Sequence, residues 1–574
     1  VNIREIGYVV SGSIKEGVKI LLSPKESIED YPLGSLLSIK GDKYEYLVMI
    51  NNIGVKGSEA LITDLFRDKV DLLKPIVESI GDRYNIKWLE AILIAQMGDE
   101  DAVECDTFPG YTSVIPTDYT LRLEKFFQRE DNYKLWNIGV PKTPGKEEVY
   151  VPIDVSRLIE LSFGIYGKSG TGKTFLGNII AGYIALYNRI NLFRGEDLKP
   201  IHLLLFDMHS EYGLYLKDNM GNKIADGVGR LMRSEFEIFS PSQDLYKKYR
   251  DISSLRIYLY NLTLDDIWIL SKVFGLTETF IRHLPTLSSL IKKETSLGEK
   301  WIWGLFISEQ LDDILDKHMF KDELIYELRN NLSITDFGEF RRQLVEKITD
   351  KVGSAVATSF VTQTSKLYRL LSYPITIHKD NDSISRIVDL ISSRDGCSVI
   401  ISMGHYEREI PLYMMIANLI ARKIHAKLAE VEESDAKILI FLEEAHKFLG
   451  KDVYYQSPFG VVAREMRKKG VTIAVIDQRP SELDKDVISM LWTNFVFTLT
   501  NPQDIESAVS GTPNPRLYSG LIARLQKKNA LVYGEAIKFP VILDIIDYRK
   551  FAAKIKRYIK EYAKTQSGIR KDLF

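Results

Sequence analysis

Up to about residue 155 the chain alternates. "IGYVVSGS", "GVKILLSP", "GSLLSIKGDKYEYLVMINNIG" and "KEEVYVPIDV" set apolar against polar residues at every second position, with Gly or Asp turns between them. That is strand patterning with one face buried, and it predicts a small β-barrel over 1–155 whose last strand lies near 147–153. Near 59–98 the pattern turns helical, as in "IKWLEAILIAQMG", and predicts a helical insertion within the barrel. Residues 104–135 fit neither period.

From about 160 the pattern becomes strand-then-helix. "LSFGIYG" precedes a helix predicted to begin near Lys173. "IHLLLFD" (201–207), "CSVIISM" (397–403), "KILIFLEE" (437–444), "VTIAVID" (471–477) and "FVFTLT" (495–500) read as buried strands. Such near-continuous apolar runs suit a parallel sheet covered on both faces, hence an α/β core over 156–548. Between roughly 245 and 390 the text is mainly helical, including "LDDIWILSKVFGL" and "GEFRRQLVEKITDKVGSAVATSF", and predicts a helical subdomain inserted in that core. The tail, 549–574, holds nine Lys/Arg against two acids and reads as a basic helix with a frayed end.

Composition narrows the class. With 574 residues, 45% hydrophobic and 27% charged, the chain can bury a large core as a soluble globular protein. A formal net charge of −2 does not advertise nucleic acid, so any DNA contact must come from local clusters or from a ring that gathers them. Cys105 and Cys397 alone exclude a disulfide scaffold and a Cys-based zinc site, and fit a reducing cytoplasm. "VNIREIGYVVSGS" lacks the basic-then-apolar signature of a signal peptide, and no apolar run approaches the roughly 20 residues of a membrane helix. The expectation is a cytoplasmic protein without a membrane partner.

The chemistry begins at "GKSGTGKT". Gly167, Lys168, Ser169, Gly170, Thr171, Gly172, Lys173 and Thr174 fill the phosphate-loop pattern, Gly, four residues, then Gly-Lys-Ser/Thr. Glycines let backbone N–H groups approach phosphate oxygens, and the helix that follows presents its positive end. Lys173 can reach the β and γ phosphates, and the Thr174 hydroxyl can ligate Mg²⁺. ATP and Mg²⁺ are therefore the expected cofactors.

"ILIFLEEAHKF" ends an apolar strand on two glutamates. A phosphate-loop enzyme needs one carboxylate toward Mg²⁺ and another toward the attacking water. Adjacent residues at a strand's end point to opposite sides, so Glu443 is expected toward the metal and Glu444 toward the water as general base. The bland alternative is two solvated glutamates at a helix start. Gln478, after "VTIAVID", lies at another strand end, where an amide can sense the γ-phosphate. Asp207, His209 and Glu211 in "LLLFDMHSEYG" form a further polar cluster, either beside the nucleotide or capping a turn. "VVAREMRKKG" places Arg464, Arg467, Lys468 and Lys469 on a helix, as a solvated basic face or as an arginine reaching a neighbouring subunit's ATP.

Together these stretches resemble the HerA family of hexameric DNA translocases, within the HerA/FtsK group of ring ATPases. The matching segments run in order: "IGYVVSGS", "GKSGTGKT", "LLLFDMHSEYG" (similar to the family's Asp-x-His-Gly-Glu-Tyr), "FLEEAHKFL", "AREMRKKG" and "DQRPSELDKDVISM…TLTNPQD". The resemblance implies a HAS-type barrel on a RecA-like ATPase core, six subunits around double-stranded DNA, and a NurA-type nuclease partner for resection of DNA ends. By position it implies Lys173 and Thr174 on nucleotide and Mg²⁺, Glu444 as catalytic base, Arg467 as the trans-acting arginine and Gln478 as the coupling residue. Two departures stand out: Ser210 replaces the usual Gly before Glu-Tyr, and the central helical region matches no family motif. A DNA-packaging or conjugation motor, and a nucleotide switch that gates a partner protein, are the alternatives.

Overall fold

The computed structural model describes residues 5–56, 86–98, 101–111, 114–116, 119–127, 135–144, 149–194, 198–218, 220–316, 318, 320–451, 453–454 and 457–564. The chain divides into two compact units, residues 1–183 with 474–574, and residues 184–473.

The first unit opens with seven strands: β1 (Glu5–Ser13), β2 (Gly17–Leu22), β3 (Leu36–Lys40), β4 (Glu45–Lys56), β5 (Ile86–Met97), β6 (Val103–Glu104) and β7 (Val114–Pro116). They form one sheet in the order β2-β1-β7-β3-β4-β5-β6, and β2 pairs with β5 as well as with β1, so the pairings return to their start. Ile6, Val9, Ile20, Ile39, Val48 and Ile50 form the core beneath, with the spacing on β1 broken by register shifts against β7 and β2.

Two expectations fail here. "IKWLEAILIAQM" is strand β5, paired along its length with β4 and in part with β2. Its apolar spacing mimics a helix in part because the β4–β5 register shifts at Leu47/Val48, where β5 carries the extra residue, Ile94, and so loses its period of two. The second shift, at Ile50/Asn52, puts the extra residue in β4. The rest of the expected helical insertion, 57–85, lies outside the described residues. The barrel strand expected near 147–153 lies partly outside the described residues, at 147–148; in its described part only Ile153–Asp154 is strand, and it pairs with Leu135–Trp136 rather than with the seven strands. Pro152 has no N–H to give a ladder, and Asp154 turns to cap the helix Val155–Glu160 through the N–H groups of Ser156 and Arg157.

Among the described residues eleven strands carry the α/β part. The nine longest are β8 (Phe163–Tyr166), β9 (Ile201–Asp207), β10 (Phe236–Ser240), β11 (Ser398–Ser402), β12 (Lys437–Glu443), β13 (Val471–Asp477), β14 (Thr493–Val496), β15 (Asn529–Gly534) and β16 (Val541–Ile545), with the short strands Gly139–Pro141 against β16 and Ile252–Ser254 against β10. In the first unit β8 runs parallel to both β13 and β14, and β15 and β16 extend the sheet antiparallel. The strand expected at 495–500 is thus β14 at 493–496. Beyond Val496 the chain stays bonded to the end of β8 and the loop after it: Phe497 donates its N–H to Tyr166 O at 2.8 Å, and Thr498 O accepts from Lys168 N–H at 3.0 Å.

In the second unit β9 lies between β11 and β12, all parallel, with β10 parallel to β11. Every residue of β9 and β11 is buried, as the unbroken apolar runs require. Most of 245–390 is helical, although short strands such as Ile252–Ser254 occur within it. The long helical pattern from Gly338 breaks at Gly353 (φ +104°) into the helices Phe337–Val352 and Ser354–Leu367. Buried Arg341 joins them by donating to Thr364 Oγ1 and lying 4.3 Å over the Phe360 ring.

Candidate active site: a phosphate loop and two carboxylate turns

Strand β8 is fully buried, and the chain then reverses through the loop 167–172 before the helix Lys173–Arg194 begins. Three glycines supply the reversal, with φ of +154° at Gly167, +74° at Gly170 and +127° at Gly172. At Gly167 space is also decisive: a Cβ there would sit 2.6 Å from Phe497 Cβ and 2.9 Å from Thr171 Oγ1. The loop is anchored on both sides. Gly167 N–H donates to Asp477 O (3.2 Å), Lys168 N–H to Thr498 O (3.0 Å), and Lys528 N–H to Thr171 O (3.0 Å). The Lys173 ammonium crosses the loop to the carbonyls of Gly167 (2.6 Å) and Lys168 (3.0 Å). Lys168, Ser169 and Gly170 are exposed, whereas Lys173 and Thr174 are half-buried. Gln478 follows the end of β13 and is half-buried.

In the second unit the carboxylates do not both end the strand. β12 stops at buried Glu443, and Glu444 already belongs to a turn with left-handed backbone, φ +51°. Strand alternation therefore does not set the direction of Glu444, as the sequence pattern suggested; the turn does. Its carbonyl accepts from Lys447 N–H at 3.0 Å, and its carboxylate lies 3.8 Å from His446 Nδ1. Tyr413 donates its hydroxyl to Glu443 O at 3.1 Å. Burial, with the charges of Glu443 and Glu444 next, pushes the Tyr413 phenol well above its ordinary pKa, so it remains a donor.

Asp207, the last residue of β9, is fully buried. Its Oδ1 accepts from Glu211 N–H (2.8 Å), and its Oδ2 from Gly213 N–H (2.7 Å) and Ser402 Oγ (2.9 Å). Burial raises its carboxyl above the usual range, and these donors oppose that rise. Asp207 thus closes the "DMHSEYG" turn. Within it Ser210 sits at φ +58°, where a glycine would be unstrained, and its Oγ accepts from Gly404 N–H at 3.1 Å. His209 is exposed, 3.8 Å from Glu407, and half-buried Glu211 is raised by burial and then by the charge of Asp207.

The basic stretch is not one helix. The helix Pro458–Glu465 ends there, and Arg467–Lys469 form a separate 3₁₀ turn closed by left-handed Gly470. Arg464 is half-buried over the Tyr454 ring at 5.0 Å, while Arg467 is exposed. Lys528 and Ser402 lie in no motif of the sequence, and Thr498 opens "TLTNPQD" without a role read for it there, yet they anchor the phosphate loop and the Asp207 turn. Among the described residues no group of three or more His, Cys, Asp or Glu could hold a metal by itself, and no helix is long and apolar enough to cross a membrane.

The model of the family described as "Helicase HerA, central domain" matches residues 137–424, just over half of the 574-residue chain. The chain belongs to the HerA family. Its similarity to curated HerA proteins is regional. It is 34% identical to the DNA double-strand break repair helicase HerA of Pyrococcus furiosus over 122 residues, covering 20% of this chain and 22% of that protein. It is 28% identical to the HerA of Sulfurisphaera tokodaii over 184 residues, covering 31% and 35%. The chain thus spans between about a fifth and a third of the length of these HerA relatives. Among solved structures, the bacterial conjugative coupling protein TrwB lacking its first 70 residues covers 75% of this chain and 92% of its own, with a TM-score of 0.42 and 15% identity. At that level the likeness bears no weight for function.

Proposed function

We propose that this chain is an ATP hydrolase that moves along double-stranded DNA as a helicase or translocase. The single observation that carries the reading is that one chain of the HerA family contains both a glycine-built, anchored phosphate loop, in its first unit, and, in its second, a glutamate held in strained left-handed backbone at the end of a buried strand. Strain of that kind persists where the surrounding structure enforces it, and it concentrates at active sites. In this reading the loop and Lys173 bind the phosphates, and Glu444 takes the proton of the attacking water. Gln478 senses the γ-phosphate. Exposed Arg467 serves a neighbouring subunit's ATP. Asp207 positions the turn that presents His209 and Glu211 to the nucleotide.

Thr174 and Glu443 would hold Mg²⁺. Their donors are hydroxyl and carboxylate oxygens, the hard ligands that ion prefers, and few protein ligands suffice when phosphates complete the shell. When bound, the ion would neutralise charge on the β and γ phosphates.

The wider proposal is a barrel at 1–155, a RecA-like core at 156–548 with its helical subdomain at 245–390, and a basic tail at 549–574. The return of β2 to β5 supports the barrel. Six such subunits would encircle DNA in the cytoplasm beside a NurA-type nuclease, in end resection and double-strand break repair.

Duplex DNA should bind without sequence preference, weaken steeply with salt, and raise ATP turnover. An assembled ring whose hydrolysis ignores duplex DNA at low salt, but responds to a purified partner protein, would make the chain a nucleotide switch. Mixing Glu444→Gln subunits with Arg467→Ala subunits tests the ring. Some activity should return where an intact arginine meets an intact base, and no recovery in demonstrably mixed rings would place both residues in one site.

A further inference from the structure

The C-terminal helix, Tyr548–Lys564, is divided lengthwise. Tyr548, Phe551, Ala552, Ile555 and Tyr558 are buried, at the spacing of one helical face. That face packs inward: the Phe551 ring lies 5.0 Å from Tyr183, and the Tyr548 ring 6.2 Å from Phe175 on the helix that follows the phosphate loop. Arg549, Lys550, Lys556 and Arg557 are exposed. They form two basic pairs one heptad apart, so they share a side of the helix and lie about 10 Å apart along it. From Tyr548 to Ile559 the sequence has no acid; Glu561 follows later in the same helix, Asp544 is exposed on β16, and Asp547 at the helix start lies 3.7 Å from the Arg549 guanidinium.

The helix start is tied to the phosphate loop. Asp547 accepts Arg549 N–H at 2.8 Å and pairs with the Lys528 ammonium at 3.0 Å. Lys528, in left-handed backbone (φ +71°), gives its own N–H to Thr171 O. One ion pair and one hydrogen bond therefore separate the basic helix from the loop.

We propose that the outer face of this helix is a contact surface for the phosphodiester backbone of duplex DNA, linked to the phosphate loop through Asp547 and Lys528. An amphipathic basic helix can also lie on a membrane, but it does so by burying its apolar face in lipid. Here that face is already buried against the protein core, and among the described side chains the exposed ones are four cations and Ala553. A chain with net charge −2 gains a polyanion site only by local segregation of this kind. The inference rests on the DNA-translocase reading and specifies one surface that reading requires.

The test is the full-length chain with Arg549→Gln, Lys550→Gln, Lys556→Gln and Arg557→Gln together, and separately with Lys550→Glu and Arg557→Glu. Fluorescent-nucleotide binding and turnover without DNA should be unchanged. Duplex affinity should fall by about tenfold or more at ~0.1 M salt, and the log–log salt slope should flatten by about 0.9 for each phosphate the variant no longer neutralises. DNA stimulation of ATP turnover should fall in parallel. A wild-type chain that binds duplex, with variants keeping the same affinity and slope, overturns this surface and leaves the translocase reading intact. Binding to phosphatidylserine vesicles that disappears in the variants, with duplex binding unaltered, reassigns the face to lipid. A wild-type chain that neither binds duplex nor responds to it overturns both.

Discussion

The phosphate loop and the two carboxylate turns solve the same backbone problem differently. Each must reverse the chain sharply at the end of a buried parallel strand. The loop does so with glycines: Gly167, Gly170 and Gly172 all have positive φ. The carboxylate turns place side-chain-bearing residues there instead, Ser210 at φ +58° and Glu444 at φ +51°. Left-handed backbone costs an ordinary residue about 1–2 kcal/mol and a glycine almost nothing. A loop that works with backbone N–H groups can take the unstrained solution. A turn that must deliver a carboxylate cannot, because glycine has none to deliver.

The largest test removes the chemistry and keeps the geometry. Glu444→Gln should bind ATP and lose about 10²–10⁴-fold in turnover, the usual contribution of a general base. Normal turnover, measured by phosphate release, would end the comparison by making the strain at 444 purposeless. Next in size is Asp207→Ala. It leaves Glu211 N–H, Gly213 N–H and Ser402 Oγ without their buried acceptor, and at about 1–3 kcal/mol for each stranded group the chain should lose about 3 kcal/mol or more. Denaturant unfolding reads this directly. The sign with pH also follows. Burial raises the carboxyls of Asp207 and Glu211, so the folded chain holds their protons more tightly than the unfolded one. That contribution is full below the ordinary carboxylate pKa and is lost as pH rises through the raised values. Asp207→Asn should remove its own share of the slope.

Gly167→Ala attacks the loop. The added methyl would meet Phe497 and Thr171 in a backbone region that alanine rarely enters, so nucleotide affinity should fall by about tenfold or more, from a strain of at least ~1.4 kcal/mol. Near-wild-type binding by fluorescence titration would mean the loop is more pliant than its anchors at Asp477, Thr498 and Lys528 suggest.

What could be read from the sequence follows the same division. The glycine-built loop and the helix starting at Lys173 are legible because the spacing of glycines marks them, whereas the break at Gly353 inside an otherwise helical pattern was not read. Buried parallel strands are legible because both faces are apolar, as in "IHLLLFD" and "VTIAVID". Strand β5 was hidden because an extra residue at Ile94 in β5 itself disrupts its period of two, and the early end of β14 because nothing in the apolar run "FVFTLT" marks Val496 as its last ladder residue. The strained turns were hidden because nothing in "LEEAH" marks Glu444 as left-handed. Lys528 was hidden altogether: it reaches the loop through its backbone N–H, which every residue but proline possesses.

A finer pair of variants isolates the strain at 444. Glu444→Ala and Glu444→Gly both remove the carboxylate, so both should be inactive. In a helix or strand glycine is the worse residue by about 0.5–1 kcal/mol. At φ +51° the order should invert, with the glycine variant more stable by about 1 kcal/mol, because only alanine retains the left-handed penalty. Equal stabilities by urea midpoint would show that the turn relaxes freely and stores nothing.

Ser210→Gly is the smallest effect and the one most specific to this chain, since the family resemblance places glycine there. Glycine relieves the left-handed penalty of about 1–2 kcal/mol. Against that, it removes the Ser210 Oγ acceptor for Gly404 N–H, a net hydrogen bond of about 1 kcal/mol, and it loosens the unfolded chain by a further ~0.5–1 kcal/mol. The terms nearly cancel, so stability should move by less than about 1 kcal/mol in either direction. The contrast with Glu444→Gly then lies in activity: the glycine at 444 removes the proposed base, whereas the glycine at 210 should leave turnover within about twofold, because the Asp207 bonds that close the turn remain. A turnover loss of tenfold in Ser210→Gly at unchanged stability would show that the hydroxyl, and its reach to Gly404, belongs to the working site and is more than a substitute for a missing glycine.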